Sequence, residues 1–312
     1  MPVADRAAFR VWGYLLACSA AWGASYPLVR YVVATMPPLS ATAARVAIAT
    51  LAMAAFLLLT RQTTRPDRAT VRHAVVFGMI QGVLPLSLMA MAMGRIAAAP
   101  AALIGAATPL IVALATPWLL REERPTSRGV AGLLLGFVGI AALIGPAALR
   151  ADASLAGGLL VLGMSACYAA STLYARIARI TSSAPLALGQ QAASLPVALV
   201  LALAIDPPGS FDQGVDVWAV LVVVGMVASA VALTLYLRLL SFARATEAAM
   251  VSYLQPVWAA GIAALVLGEV PGMHEAAAGA VVLAGVWLVG TQRRGGGERL
   301  MPVRRPACSC GR

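Results

Sequence analysis

The chain has 312 residues, 61% of them apolar and only 11% charged, with a formal net charge of +11 and a mean hydropathy of +0.86. A soluble domain carries roughly 25% charged residues because its surface faces water, so this composition excludes a water-exposed globule and fits an outer surface that faces lipid. All 23 basic residues are arginine, and they fall between apolar runs instead of gathering on one face, which argues against nucleic acid as a partner.

Apolar runs of about 20 residues, the length that crosses ~30 Å of hydrocarbon, predict ten helices in chain order. They cover 11–33, 38–60, 73–93, 97–119, 129–147, 155–177, 184–205, 217–240, 246–267 and 275–291. Gln81 and Pro85 interrupt the third, and Ser165, Ser171 and Thr172 lie in the sixth. Helix bundles tolerate such residues where neighbouring helices satisfy the freed polar groups. The runs are continuous and not alternating, which excludes a transmembrane β-barrel. The first run follows Arg6 and Arg10 in the manner of a signal peptide, but it has a partner later in the chain and is read as a span. The loops are short and leave no soluble domain.

With the N-terminus inside, the inner segments hold Arg6 and Arg10, then Arg61, Arg65, Arg68 and Arg72, then Arg121, Arg124 and Arg128. Arg176 and Arg179, Arg238 and Arg244, and six arginines from Arg293 to Arg312 complete an inner set of nineteen. The outer segments hold only Arg95 and Arg150, beside Asp206, Asp212 and Asp216; Arg30 and Arg45 fall within spans. This asymmetry follows the positive-inside rule and predicts ten helices with both termini cytoplasmic in an inner (plasma) membrane. Cys308 and Cys310 sit in the Arg-rich tail 292–312, and a lone C-x-C pair offers too few ligands for zinc.

The sequence also repeats itself. Pro109, Glu122 and Gly132 recur 147 residues later as Pro256, Glu269 and Gly279, and Pro38 recurs as Pro185. Ser25 and Arg30 recur as Ser171 and Arg176 at an offset of 146. The expected layout is a cytoplasmic N-terminus over 1–10, one five-helix repeat over 11–147, a second over 155–291, and the tail. Because five is odd, the second copy enters the membrane upside down. Inverted repeats of this kind belong to transporters whose site lies near the midplane between the halves.

Trp22-Gly23 with Ser25, Pro38 with Arg45, and Pro109 with Glu122, Gly132 and Gly139 resemble the EamA-type drug/metabolite transporters, as do Pro256, Gly268-Glu269, Gly279 and Gly285 in the second copy. The resemblance covers roughly 11–291. It implies an all-α ten-helix bundle, a central cavity lined from both halves, and export of small metabolites or drugs, without naming a substrate. In the second copy Ala192 stands where Arg45 would recur at 147, so any contact Arg45 makes with cargo is asymmetric.

A charge within hydrocarbon is costly and marks a functional candidate. Arg45 lies about two turns into the second helix, either as a guanidinium for a carboxylate or phosphate on the cargo or as a scaffold for carbonyls freed by nearby prolines. Arg30, near the outer end of its helix, fits snorkelling to the interface. Trp22, Ser25, Tyr26, Gln81, Tyr168, Ser171, Gln191, Tyr253, Gln255 and Trp258 are the further substrate-cavity candidates, with the cluster around Pro256 the most suggestive. Glu247, at the inner edge of the ninth helix, is the candidate for proton coupling, with helix capping as its alternative role. The glycines 132, 136, 139, 279 and 285 fit close helix packing. His73 and His274 begin helices near opposite surfaces, and no carboxylate pair or metal cluster falls within a span, so neither enzyme chemistry nor a cofactor is expected. The expected partners are the bilayer and a small-molecule substrate, an amino acid or related amphiphile. A drug or metabolite facilitator is the alternative.

Overall fold

A computed structural model describes residues 3–61, 66–96, 98–120, 126–151, 155–180, 184–243, 247–248, 250–267 and 273–290. Glu122, Gly268, Glu269, Arg244 and the tail 292–312 with Cys308 and Cys310 lie outside the described residues. Among those described, all regular structure is helical.

The first repeat comprises α1 (Val3–Val33), α2 (Pro38–Leu59), α3 (Arg68–Phe77) running through a π-helical stretch π1 (Gly78–Val83) into α4 (Leu84–Met93), then α5 (Ala98–Gly105), α6 (Thr108–Leu119) and α7 (Ser127–Ala151). The second comprises α8 (Leu155–Ile177), α9 (Ala184–Ile205), α10 (Val215–Val223) running through π2 (Val224–Val231) into α11 (Ala232–Phe242), then α12 (Val251–Leu267) and α13 (Met273–Gly290). Local chemistry sets several of these boundaries. Pro38 opens α2 at its first position, where proline's missing N–H costs nothing. The Asp67 side chain caps α3 by accepting from the Thr70 N–H at 2.8 Å. Pro109 opens α6 after a break at Ala106 and Ala107, whereas Pro256 sits inside an unbroken α12.

The third expected helix was interrupted by Gln81 and Pro85, and the interruption takes the form of a π stretch in which Gly82 leaves helical geometry (φ −102°, ψ −107°). A π stretch of the same kind recurs in the second repeat, beginning at Val224, 146 residues after Gly78. The Ser165, Ser171 and Thr172 positions, by contrast, lie in the continuous helix α8.

The packing is the reverse of a soluble protein. Ser40, Thr42, Arg45, Gln81, Gln190, Gln191, Ser194 and Ser229 are buried, while Leu58, Leu114, Trp118, Leu203 and Leu265 lie on the outside. Polar groups are enclosed between helices, and the apolar faces point outward, as lipid requires. Five helical segments are long and apolar enough to cross a membrane: Pro38–Leu59, Arg68–Met93, Leu155–Ile177, Pro185–Ile205 and Val215–Phe242. Shorter apolar stretches cover Thr108–Leu119, Ser127–Gly139 and Ala276–Gly285. The chain is a multi-pass membrane protein.

Contacts between helices come in matched pairs when the two repeats are exchanged. The helix α1 packs along α12, as α8 packs along α5 and α6. It also runs beside α10, π2 and α11, as its equivalent α8 runs beside π1 and α4. Two equivalent pairs, α2 with α9 and α7 with α13, pack directly on each other. In the second of these, a Cβ on Gly285 would lie 2.6 Å from the Gly136 nitrogen, and one on Gly139 would lie 2.8 Å from the Val282 nitrogen. Gly279 has open space around it and takes no part in that close approach.

Candidate functional site

Among the described residues, three cavities enclosing about 460, 300 and 280 Å³ of space, part of it open to the outside, lie between the repeats, and Arg45 lines all of them. Trp22, Gln81 and Tyr168 line the two larger ones. The largest reaches Ala248, Val251 and Ser252 at one end, and the smallest reaches Ala41 and Thr42 at the other.

The core of the site is built on π2. A π turn spaces its backbone bonds one residue wider than an α turn and commonly marks a functional position. Three side chains from three helices converge on two consecutive residues there. The Trp22 indole N–H donates to the Ala228 carbonyl at 2.7 Å. The Arg45 Nε–H donates to the Ser229 hydroxyl at 2.7 Å. The Gln191 amide donates to the Ser229 carbonyl at 3.3 Å. In the first repeat, π1 is held by the Ser194 hydroxyl donating to the Gly78 carbonyl at 2.8 Å and by Ser171 bonded to the Gln81 side chain.

Equivalent residues meet at the centre. Trp22 and Tyr168, 146 positions apart, stack at 6.4 Å between centroids and 15° between planes. Equivalent positions of the two repeats are therefore in direct contact here. Tyr236 tilts against Trp22 at 4.9 Å and its hydroxyl lies 2.7 Å from that of Thr172. The Tyr26 hydroxyl donates to Gln255 Oε1 at 3.2 Å.

Of the residues expected from sequence, Arg45, Trp22, Ser25, Tyr26, Gln81, Tyr168, Gln191 and Gln255 line these cavities. Ser171 is buried behind Gln81. Two residues of the Pro256 cluster turn away. Tyr253 is fully buried against α7, where its hydroxyl donates to the Leu133 carbonyl at 3.1 Å. Trp258 is 37% exposed and donates to the Ser19 hydroxyl at 3.0 Å. For Tyr253 the reason is helical phase: Val251, Ser252 and Gln255 line the cavity, and Tyr253 lies about 100° beyond Ser252. Glu247 is half-buried beside Ala248 and lines none of the three cavities.

The counterpart of Arg45 also needs correcting. Ala192 is exposed on the outer face, whereas Gln191 is buried and shares both a cavity and Ser229 with Arg45. The register in this helix pair is therefore 146, and the asymmetry is arginine against glutamine. Arg30 and Arg176 are equivalent in the same register and do equivalent work. Arg30 donates to the Ile96 carbonyl at 2.9 Å, just beyond α4, and Arg176 bonds the Ala243 carbonyl, just beyond α11. Both fit a cation satisfying the open carbonyls of a helix C-terminus.

Sequence reasoning missed Ser229, Thr108 and Tyr236. Thr108 lines the largest cavity opposite Gln255, which lies 147 residues after it, so the repeat carried the signal. Ser229 is a lone hydroxyl in an apolar run, and only the fold brings it to Arg45. An arginine within hydrocarbon is costly to insert, so a site that buries Arg45 is a strong feature of the chain.

No curated protein matches this chain. A crystal structure with 19% sequence identity covers 91% of this chain and 96% of its own at a TM-score of 0.70, a likeness of fold. The model of the EamA-like transporter family matches residues 11–145 and again 155–291. Those two matches fall on the two halves whose contacts mirror each other and enclose the cavities between them, and the chain belongs to the EamA-like transporter family.

Proposed function

We propose that this chain is an inner-membrane exporter of a small metabolite, an amino acid or related amphiphile, working by alternating access. Ten spanning helices form two five-helix repeats of opposite sense, with both termini cytoplasmic. The observation that carries this reading is the placement of the cavities on the contact between the repeats, at the stack of the equivalent residues Trp22 and Tyr168. A cavity on a pseudo-two-fold axis is opened to either side by exchanging the conformations of the two halves. The paired π stretches and the paired arginines, Arg30 at one set of helix ends and Arg176 at the other, supply matching parts for that exchange.

A second reading, a facilitator or exchanger without proton coupling, is favoured by one feature. Among the described residues, Arg45 is the only charged one lining the three cavities, and intramembrane proton relays are built from carboxylates and histidines.

Purified protein in liposomes tests the transport reading. Saturable acceleration of flux is expected for at least one class in a panel of amino acids, organic acids, amines and nucleosides. Flux equal to that of empty liposomes for every compound contradicts it.

A further inference from the structure

Resting on the transport reading, we infer that the cargo carries one carboxylate and that the two Nη groups of Arg45 receive it at the junction of the three cavities. Arg45 is 5% exposed. Its Nε is spent on the Ser229 hydroxyl, which fixes the plane of the guanidinium and leaves the end-on pair of N–H donors. Among the described residues no carboxylate pairs with it and nothing accepts from those end-on donors. A buried cation without a counter-ion is strongly unfavourable, and a planar oxyanion matches the guanidinium fork through two parallel bonds.

Charge count then narrows the class. Among the described residues, the linings of all three cavities hold this single cation and no anion. One carboxylate is balanced there. A phosphate monoester, at about −1.5 to −2 at neutral pH, is left with excess charge in a low-dielectric space, and an amine without a carboxylate is repelled. The Trp22–Tyr168 stack beside the guanidinium offers an apolar surface for the body of the molecule. The repeat asymmetry serves the same end, because Gln191 in place of a second arginine keeps the site's charge at one.

Gln191 also supplies the decisive variant. Its Oε1 is buried and, among the described residues, accepts from nothing, while its amide shares Ser229 with Arg45. Gln191→Glu places a carboxylate in the Arg45 cavity and provides the counter-ion internally, in competition with cargo.

The test uses full-length protein in detergent and in liposomes, probed with monocarboxylic acids and amino acids of increasing side-chain size, each paired with its primary amide. The acids are expected to raise the thermal unfolding midpoint and to be carried, with apparent affinities roughly tenfold or more above their amides, given the strength of charge-assisted pairs. Arg45→Gln and Gln191→Glu both remove the acid preference, and Gln191→Glu keeps an unliganded midpoint at or above that of the parent. Equal effects of acids and amides, stabilisation by amines or phosphates alone, or an acid preference surviving in Arg45→Gln each overturn the proposal. Carried amines or amides with silent acids would leave the transport reading standing and remove only this one. No flux of any probe would remove both.

Discussion

Gly285→Val is expected to lower the stability of the bundle by about 3 kcal/mol, at the upper end of the overpacking range, and to broaden its size-exclusion profile. A Cβ at this position meets the Gly136 nitrogen at 2.6 Å, the Gly132 oxygen at 2.7 Å and the Gly136 Cα at 2.8 Å. These are backbone atoms of α7, and no rotamer change moves them aside. The two helices must separate along the contact that joins the two repeats. In a bilayer the loss is not repaid by hydrophobic burial elsewhere, because lipid is as apolar as the helix face and association depends on close packing. Gly279→Val, six residues earlier on α13, is the control. Nothing lies within 4 Å of that position, so its stability is expected to stay within about 0.5 kcal/mol of the parent. Equal thermal midpoints for the two variants would show that the α7–α13 contact is not held by Gly285.

Trp22→Ala carries the second large effect, on stability and transport together. The indole is stacked on Tyr168, tilted against Tyr236 at 4.9 Å and bonded to the Ala228 carbonyl of π2. Removing it opens a void between the repeats, at a cost of about 3 kcal/mol, the lower end of the range for a core tryptophan, because the ring is half-buried. Trp22→Phe separates the parts. It keeps a ring at the stack but leaves the Ala228 carbonyl without its donor, which costs about 1–3 kcal/mol for a buried polar group. If π2 must hold its shape for Arg45 to sit on Ser229, Trp22→Phe slows flux by more than its small loss of stability explains. A phenylalanine variant with parental midpoint and parental flux would reduce the indole N–H to a bystander.

Much of this architecture is legible before any coordinates. Apolar length pointed to an all-helical chain, and five of the helical segments it marked are long and apolar enough to cross a membrane. The repeat was legible because Ser25 and Arg30 have surviving counterparts at Ser171 and Arg176. What stayed hidden follows from geometry that a one-dimensional pattern does not hold. Gln81 signals a break in its helix, yet π1 and π2 differ in composition, and π2, Val224–Val231, reads as an ordinary apolar run. Pro109 and Pro256 occupy equivalent positions, but the first lies beside a break and the second inside a continuous helix. Anchoring the second helix of each repeat on Pro38 and Pro185 set the register one residue out, and on a helix one residue is about 100°. That shift is the distance between exposed Ala192 and buried Gln191. Tyr253 was a candidate for its place beside Pro256, and it faces α7 instead of the three cavities.

Alternating access at the contact between the repeats is tested most directly by thiol labelling from each side of the membrane. Ser252 and Thr42 line opposite ends of the cavity system, and each is replaced by cysteine in a background lacking Cys18, Cys167, Cys308 and Cys310. In sealed vesicles, Ser252→Cys is expected to react with an impermeant reagent from one side only and Thr42→Cys from the opposite side only. A carboxylate gradient that speeds one reaction is expected to slow the other. Simultaneous labelling of both positions from a single side, or rates that rise together, would contradict alternating access and leave a continuous pore.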